Sequence, residues 1–265
     1  AAGNVAINSA LPRPVTVAAI THSGAGNIAL IHTGGPLTVD SVSAAGGTVT
    51  INATAGPLTT GAINSVNGAV TLSSTGGALT AEGPVTTGAG AIALTATSAD
   101  VNVIGALTAG GVSNITLTTI TAGNITVAGV VTAAGDTVTV DSAGTVDGPG
   151  LITAGTVALT ATGAIGENER VRTSAGSLSA SSTAAGNVLI DSTSPAAVTV
   201  TTLNAAAGSI DLDHSGGGLI TFNTVTATAG SIDLTASGGG LTVGGAITAG
   251  GTGSVSLATL LAGDI

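Results

Sequence analysis

Cysteine, lysine, methionine, tryptophan and tyrosine are all missing from this chain of 265 residues, and phenylalanine occurs once. Without cysteine there is neither a disulfide framework nor a thiolate metal site. A globular core of this size normally fills its wide interior with aromatic side chains, each burying roughly 150–250 Å², so the interior here must be narrow. Basic residues are nearly absent as well: three Arg stand against 13 acidic residues, for a formal net charge of −10. Binding to nucleic acid by counterion release needs clustered Lys or Arg, as does attraction to anionic lipid, so neither partner is expected. No run of about 18 uninterrupted apolar residues exists, and the positive mean hydropathy reflects interspersed Ala, Val and Ile, so membrane insertion is not expected either. The chain opens Ala1-Ala2-Gly3 without a basic-then-apolar leader. It is therefore read as a mature product or an excerpt of something longer.

What fills the chain is 43 Gly set among Ala, Val, Ile, Leu and Thr. Val, Ile and Thr favour strands, and they recur in a fixed order. Gly208-Ser209-Ile210-Asp211-Leu212 is followed by a near-copy, Gly230-Ser231-Ile232-Asp233-Leu234. The resulting period of about 22 residues marks a solenoid. Aligning every opening of this kind gives an apolar column at Val5, Ile28, Val49, Val70, Ile92, Ile115, Val138, Val157, Val188, Ile210, Ile232 and Val255. A second column passes through Leu37, Leu58, Leu79, Val101, Ile125, Val198, Ile220 and Leu241, and a third through Val42, Ile63, Val85, Leu107, Val131, Ile152, Val171, Leu203, Val225 and Ile247.

Each column residue opens an apolar-polar-apolar triplet, the period of two expected of a short strand with one buried face. Three short strands per turn, separated by Gly-rich corners, predict an all-β fold, a parallel β-helix (β-solenoid) with about 22 residues per coil and about 12 coils. Stacking at about 4.8 Å per coil would make a rod about 60 Å long. Residues 1–265 read as a single solenoid, in register near both ends and with no capping element at either. Exposed strand edges of this kind invite pairing, so the expected partners are further copies stacked end to end or the flanking solenoid of a longer chain.

One step is irregular. Val157 and Val188 stand well over one period apart, and the stretch between them holds the densest charge in the molecule: Glu167, Asn168, Glu169, Arg170 and Arg172. Residues 163–186 are read as carrying about nine extra residues, forming an irregular coil or a protruding loop. Insertions in solenoids often map to the binding face, which makes these five residues the candidate binding loop for a glycan or a host surface.

Acidic residues stack in short columns, Asp211 with Asp233, and Asp141 with Asp191 and Asp213. Carboxylates about one strand spacing apart repel, which raises their pKa values or recruits a cation, and Ca²⁺ takes oxygen ligands. Asp191, Asp211, Asp213 and Asp233 are thus the candidate metal site, with Ca²⁺ the only cofactor in view. Paired carboxylates can also run acid-base chemistry on sugars. Aromatic platforms for sugar rings are lacking, however, and no catalytic residue is assigned. His22, His32 and His214 meet no metal-site spacing and are read as surface turn residues. Thr residues at 38, 59, 80, 126, 199, 221 and 242 align without a second Thr column two residues on, which argues against an ice-binding array. Asn52, Asn114 and Asn124 lie in N-glycosylation triplets.

The Gly-Ser-Ile-Asp-Leu opening, the recurring Leu-Thr-Val and Ile-Thr-Ala-Gly triplets and the segment from Gly163 through Ala175-Gly176-Ser177-Leu178 to Gly186-Asn187-Val188 carry a resemblance. In these the chain resembles the long repeat regions of filamentous-haemagglutinin-type bacterial exoproteins, exported by two-partner or similar secretion. The resemblance implies a right-handed β-helix at the bacterial cell surface or in the extracellular matrix, acting as fibre subunit, adhesin or stalk rather than as an enzyme. It transfers no catalytic residue.

Overall fold

The computed structural model describes residues 3–260, and among these there are 27 strands and no helix. Every strand pairing whose register is defined is parallel, with each partner lying one turn away in the chain. This is a β-solenoid, and its turns of about 22 residues fall in the range of solenoid repeats. Its contacts cluster into two compact units, residues 1–136 and 137–265.

Unit 1 follows the sequence columns closely. Val5 pairs with Ile28, and the ladder continues through Val49, Val70, Ile92 and Ile115. A second ladder runs Val15, Leu37, Leu58, Leu79, Val101, Ile125. The third runs Ile20, Val42, Ile63, Val85, Leu107, Val131. From the second coil onward these aliphatics are buried. Each fully buried Val, Leu or Ile contributes about 1.5–3 kcal/mol relative to exposure, so three such residues per turn drive the stacking without any aromatic filler. The corners need close approach. Gly26, Gly47, Gly68 and Gly90 lie one above another, and a Cβ on Gly47 would overlap the Gly26 carbonyl. Inward-facing hydroxyls satisfy the corner backbone: Ser65 Oγ donates to the Gly47 carbonyl (2.9 Å) and accepts from the Gly68 N–H (3.1 Å).

Unit 2 keeps the same architecture, with a different column assignment at its start. Val157 does not precede Val188. It pairs with Leu178, which pairs with Val200, then Phe222 and Val243. The ladder leading to Val188 instead comes from Val146 through Ile165, and it continues to Ile210, Ile232 and Val255. Likewise Ile152 faces Thr173, and Val171 faces Ile190. The apparent long step from Val157 to Val188 therefore joins two different faces of the solenoid. Along the real ladder, the step from Ile165 to Val188 is of ordinary length.

Residues 163–186 accordingly form most of one turn. The strand Val171–Ser182 buries alternate side chains, and Ile165, Leu178 and Ala180 lie in the core. The extra residues number four. Gly166 occupies the ladder position facing Leu189 and Val171 the position facing Ile190, which leaves 167–170 outside the register. The same turn is shortened further on, because fewer residues separate Thr173 from Ser177 than separate their partners, Ser192 and Thr199.

Candidate functional site

The insertion begins at Gly166, whose φ of 78° lies in the left-handed region that Gly adopts at little cost. A Cβ there would also overlap the Leu189 carbonyl oxygen. This turns residues 167–170 outward from the wall, and each contact that follows ties them to a different turn. The Asn168 backbone N–H donates to Asp147 Oδ1 (3.0 Å) and its side-chain amide to Oδ2 (3.3 Å). Thr145 Oγ1 donates to the same Asp147 Oδ2 at 2.9 Å. On the other side, Asn187 Nδ2 donates to Glu167 Oε2 at 2.9 Å.

Arg170 is the centre of the site. Its Nε donates to Asp191 Oδ1, Nη1 to Asp211 Oδ2 (2.8 Å), and Nη2 to the Ile190 carbonyl (2.9 Å). Nη2 also lies 3.2 Å from Asp213 Oδ2. The register explains the convergence: Asp191 pairs with Asp213 one turn on, while Asp211 flanks them two residues before Asp213 on the same outward face. One planar fork with five donors thus meets three carboxylates from two adjacent turns. Burial disfavours the Arg170 charge. Hydrogen bonds and charge from Asp211 and Asp191 outweigh it and hold the guanidinium above its ordinary pKa.

Asp213 titrates in the other direction from a typical ion-paired acid. Partial burial pushes its carboxyl up, Arg170 pulls it down, and repulsion from Asp211, Asp191 and Asp233 leaves it above the usual value. Its share of Arg170 is the smallest of the three. Asp233 faces Asp211 in the next turn. Asp141, which the sequence groups with these acids, is not among the partners of Arg170. Arg172 stands in the outward column directly before Asp191 and donates to the Pro149 carbonyl at 3.5 Å. Glu169 is exposed.

The nine residues picked out from sequence as two separate sites, a candidate loop and a candidate metal cluster, therefore occupy one outward face of unit 2 and the strap that crosses it. Arg170 occupies the centre where a cation bridging Asp191, Asp211 and Asp213 would sit. Among the described residues no group of three or more His, Cys, Asp or Glu is arranged to hold a metal ion. Two contributors carried little sequence signal. Asp147 is a buried acid whose only mark is its place after an apolar ladder residue, and Asn187 resembles any other corner Asn.

The histidines correct a further expectation. His32 and His214 are buried inward-facing residues, and only His22 keeps partial exposure. His214 Nε2 donates to the Gly218 carbonyl (3.1 Å), because that oxygen can only accept, and in the neutral ring Nδ1 accepts from Ser192 Oγ (3.1 Å). Burial lowers its pKa, more than these hydrogen bonds raise it.

No family model, curated protein or solved structure matches the chain.

Proposed function

We propose that this chain is a structural β-solenoid segment of a protein exported to the bacterial cell surface or extracellular matrix, serving as a fibre subunit or adhesin stalk rather than as an enzyme. The observation that carries this reading is the direction of its polar chemistry. The densest charged group, Arg170 with Asp191, Asp211 and Asp213, is used to tie successive turns together, and the walls beneath it are aliphatic ladders of constant register. Such a wall resists bending because each turn holds its neighbours along three faces. Immunogold electron microscopy of the source cells tests the reading. Label on fibres or on the outer surface is expected, and label confined to the cell interior would overturn it.

The partner that suits this architecture is another solenoid coil. That coil belongs either to a further copy of the chain or to the flanking solenoid of a longer one, since a strand edge presents unpaired N–H and C=O groups to a neighbour. Light scattering across a concentration series tests the version in which copies stack; a strictly monomeric species at high concentration would exclude it.

A second reading, adhesion to a glycan or host surface through the strap, draws on the outward placement of Glu167, Asn168 and Glu169. Glu169→Lys reverses an exposed charge outside the Arg170 network. Adhesion of cells carrying that variant should fall if the strap is the contact, and unchanged adhesion would leave the chain as a spacer.

A further inference from the structure

Asn67-Gly68 is the one Asn-Gly pair in the chain. It lies in unit 1, in the corner between the strands Leu58–Ser65 and Val70–Ser74, and Asn67 is exposed there. An asparagine followed by glycine is open to attack by its own main chain. The nitrogen of the next residue reaches the side-chain amide carbon, and glycine has no Cβ to obstruct the approach. Asn4, Asn27, Asn102, Asn114, Asn124 and Asn187 stand instead before Val or Ile, whose branched side chains crowd that nitrogen. The one Asp-Gly pair, Asp147-Gly148, differs in its surroundings: Asp147 is buried, and Asn168 and Thr145 take up its carboxylate oxygens.

In the folded corner both reacting groups of the Asn67-Gly68 pair are restrained. The Asn67 side-chain amide donates to the Ala45 carbonyl of the preceding turn at 3.2 Å. The Gly68 N–H, whose proton must leave before its nitrogen can attack, donates to Ser65 Oγ at 3.1 Å. Ser65 is fully buried, and its own proton goes to the Gly47 carbonyl at 2.9 Å, so a lone pair is what it offers to Gly68. Gly68 is also enclosed by the turns on either side. A Cβ on it would lie 2.1 Å from the Gly47 oxygen, and a Cβ on Gly90 would lie 2.3 Å from the Gly68 backbone carbonyl carbon.

We propose that Asn67 is a self-modification site and that Ser65 sets its rate. Hydroxide takes the Gly68 amide proton, the nitrogen bonds to Asn67 Cγ, and the Cγ–Nδ2 bond breaks. The departing nitrogen takes a proton from water and leaves as ammonia, which restores the hydroxide. Water then opens the five-membered succinimide. Opening at Cγ leaves an ordinary aspartyl residue, and opening at the Asn67 backbone carbonyl carbon leaves an isoaspartyl link. Either product adds a negative charge. The isoaspartyl link also lengthens the main chain by a methylene, in a corner whose stacked glycines have no room even for a Cβ. The site is independent of the structural role proposed above.

Incubation of the full chain in warm, mildly alkaline buffer tests it, with peptic digestion in acid, peptide mass spectrometry and labelling by isoaspartyl methyltransferase as readouts. Asn67 should deamidate before any other Asn and give the isoaspartyl product. Unfolding the parent chain in urea releases both restraints and should speed the reaction about tenfold or more. In the folded chain Ser65→Ala should speed it about three- to tenfold, the range that one net hydrogen bond spans. Ser74→Ala is the control. It removes another buried hydroxyl, bonded to the Gly56 carbonyl at 3.0 Å rather than to Gly68, and should leave the rate unchanged, with urea midpoints reporting that each variant is folded. Should Ser65→Ala fail to fold, the comparison of native and urea-unfolded parent decides. No reaction at Asn67, earlier reaction at another Asn, equal rates in the native and unfolded parent, or equal rates in Ser65→Ala and Ser74→Ala would overturn the proposal.

Discussion

Arg170 Nη1 lies 2.8 Å from Asp211 Oδ2, joining residues 41 positions apart in the chain. The same guanidinium holds Asp191 in the turn between. Replacing Arg170 by Ala would leave Asp191, Asp211 and Asp213 facing one another without a counter-charge. Exposed pairs are each worth under about 1 kcal/mol and hydrogen bonds to charged groups about 1.5–3 kcal/mol. For this half-exposed network a loss of about 1–2 kcal/mol in urea unfolding is expected. The loss should grow at low ionic strength, where carboxylate repulsion is unscreened. Arg170→Lys should recover little, since one ammonium cannot reproduce the fork.

Asp213 gives a pH dependence of opposite sign to a stabilising ion pair. Its folded pKa lies above the ordinary carboxylate value, so its contribution is fully present below that value and is lost as pH rises through the folded one. Asp213→Asn should therefore match or exceed the parent chain in stability at pH 7 and lose that relative advantage below about pH 4. Denaturation midpoints at the two pH values check this. A variant clearly weaker at pH 7 would show that the contact with Arg170 outweighs burial and repulsion.

His214 behaves as a buried neutral imidazole. Its folded pKa is lowered, so the stability it supports is present above the ordinary His value of about 6.5 and is lost as pH falls through the folded value. Stability of the parent chain should decline as pH falls below about 6.5, and His214→Gln, which cannot titrate there, should flatten that slope. An unchanged slope would place the titration elsewhere.

Adjacent glycines in one corner should respond in opposite ways. A Cβ on Gly218 would overlap the Ala196 carbonyl, whereas Gly217 has open space. Gly217→Ala should be neutral or stabilising by about 0.4–1 kcal/mol through the unfolded chain, and Gly218→Ala should be destabilising. Thermal melts of the two single variants make the comparison.

Phe222 is the one aromatic residue and is fully buried, in a ladder with Val200 before it and Val243 after. Phe222→Ala should cost about 3–5 kcal/mol, while Phe222→Leu, which suits a ladder of aliphatics, should cost under about 1.5 kcal/mol. Urea unfolding of the two variants beside the parent chain measures both.

The repeat was legible in the sequence wherever successive turns carry the same residue type at the same place, as in Asp211 facing Asp233 and in the three ladders of unit 1. It was misread where the faces look alike. Val157-Ala158-Leu159 has the same apolar-polar-apolar signature as other strand openings, yet it lies on a different face from Val188. Nothing local distinguishes them; the distinction comes from which face the preceding turn leaves open. Burial of His32 and His214 was hidden for a related reason. A polar residue closing a strand can face inward or outward, and only the ladder decides. The candidate residues themselves were legible as unusual charge in a nearly uncharged chain, but their convergence required knowing that four residues, not nine, stand outside the register.

That number bears on how the architecture absorbs errors. Four residues were added after Gly166 and most of that length was recovered by cutting the corner after Thr173, so the turn is only one residue longer than the next, which runs from Val188 to Ile210. A length change is healed within a single revolution and does not propagate. Evolution of such a chain can therefore decorate one turn at a time, trading corner residues for outward straps, with the phase of every later turn preserved.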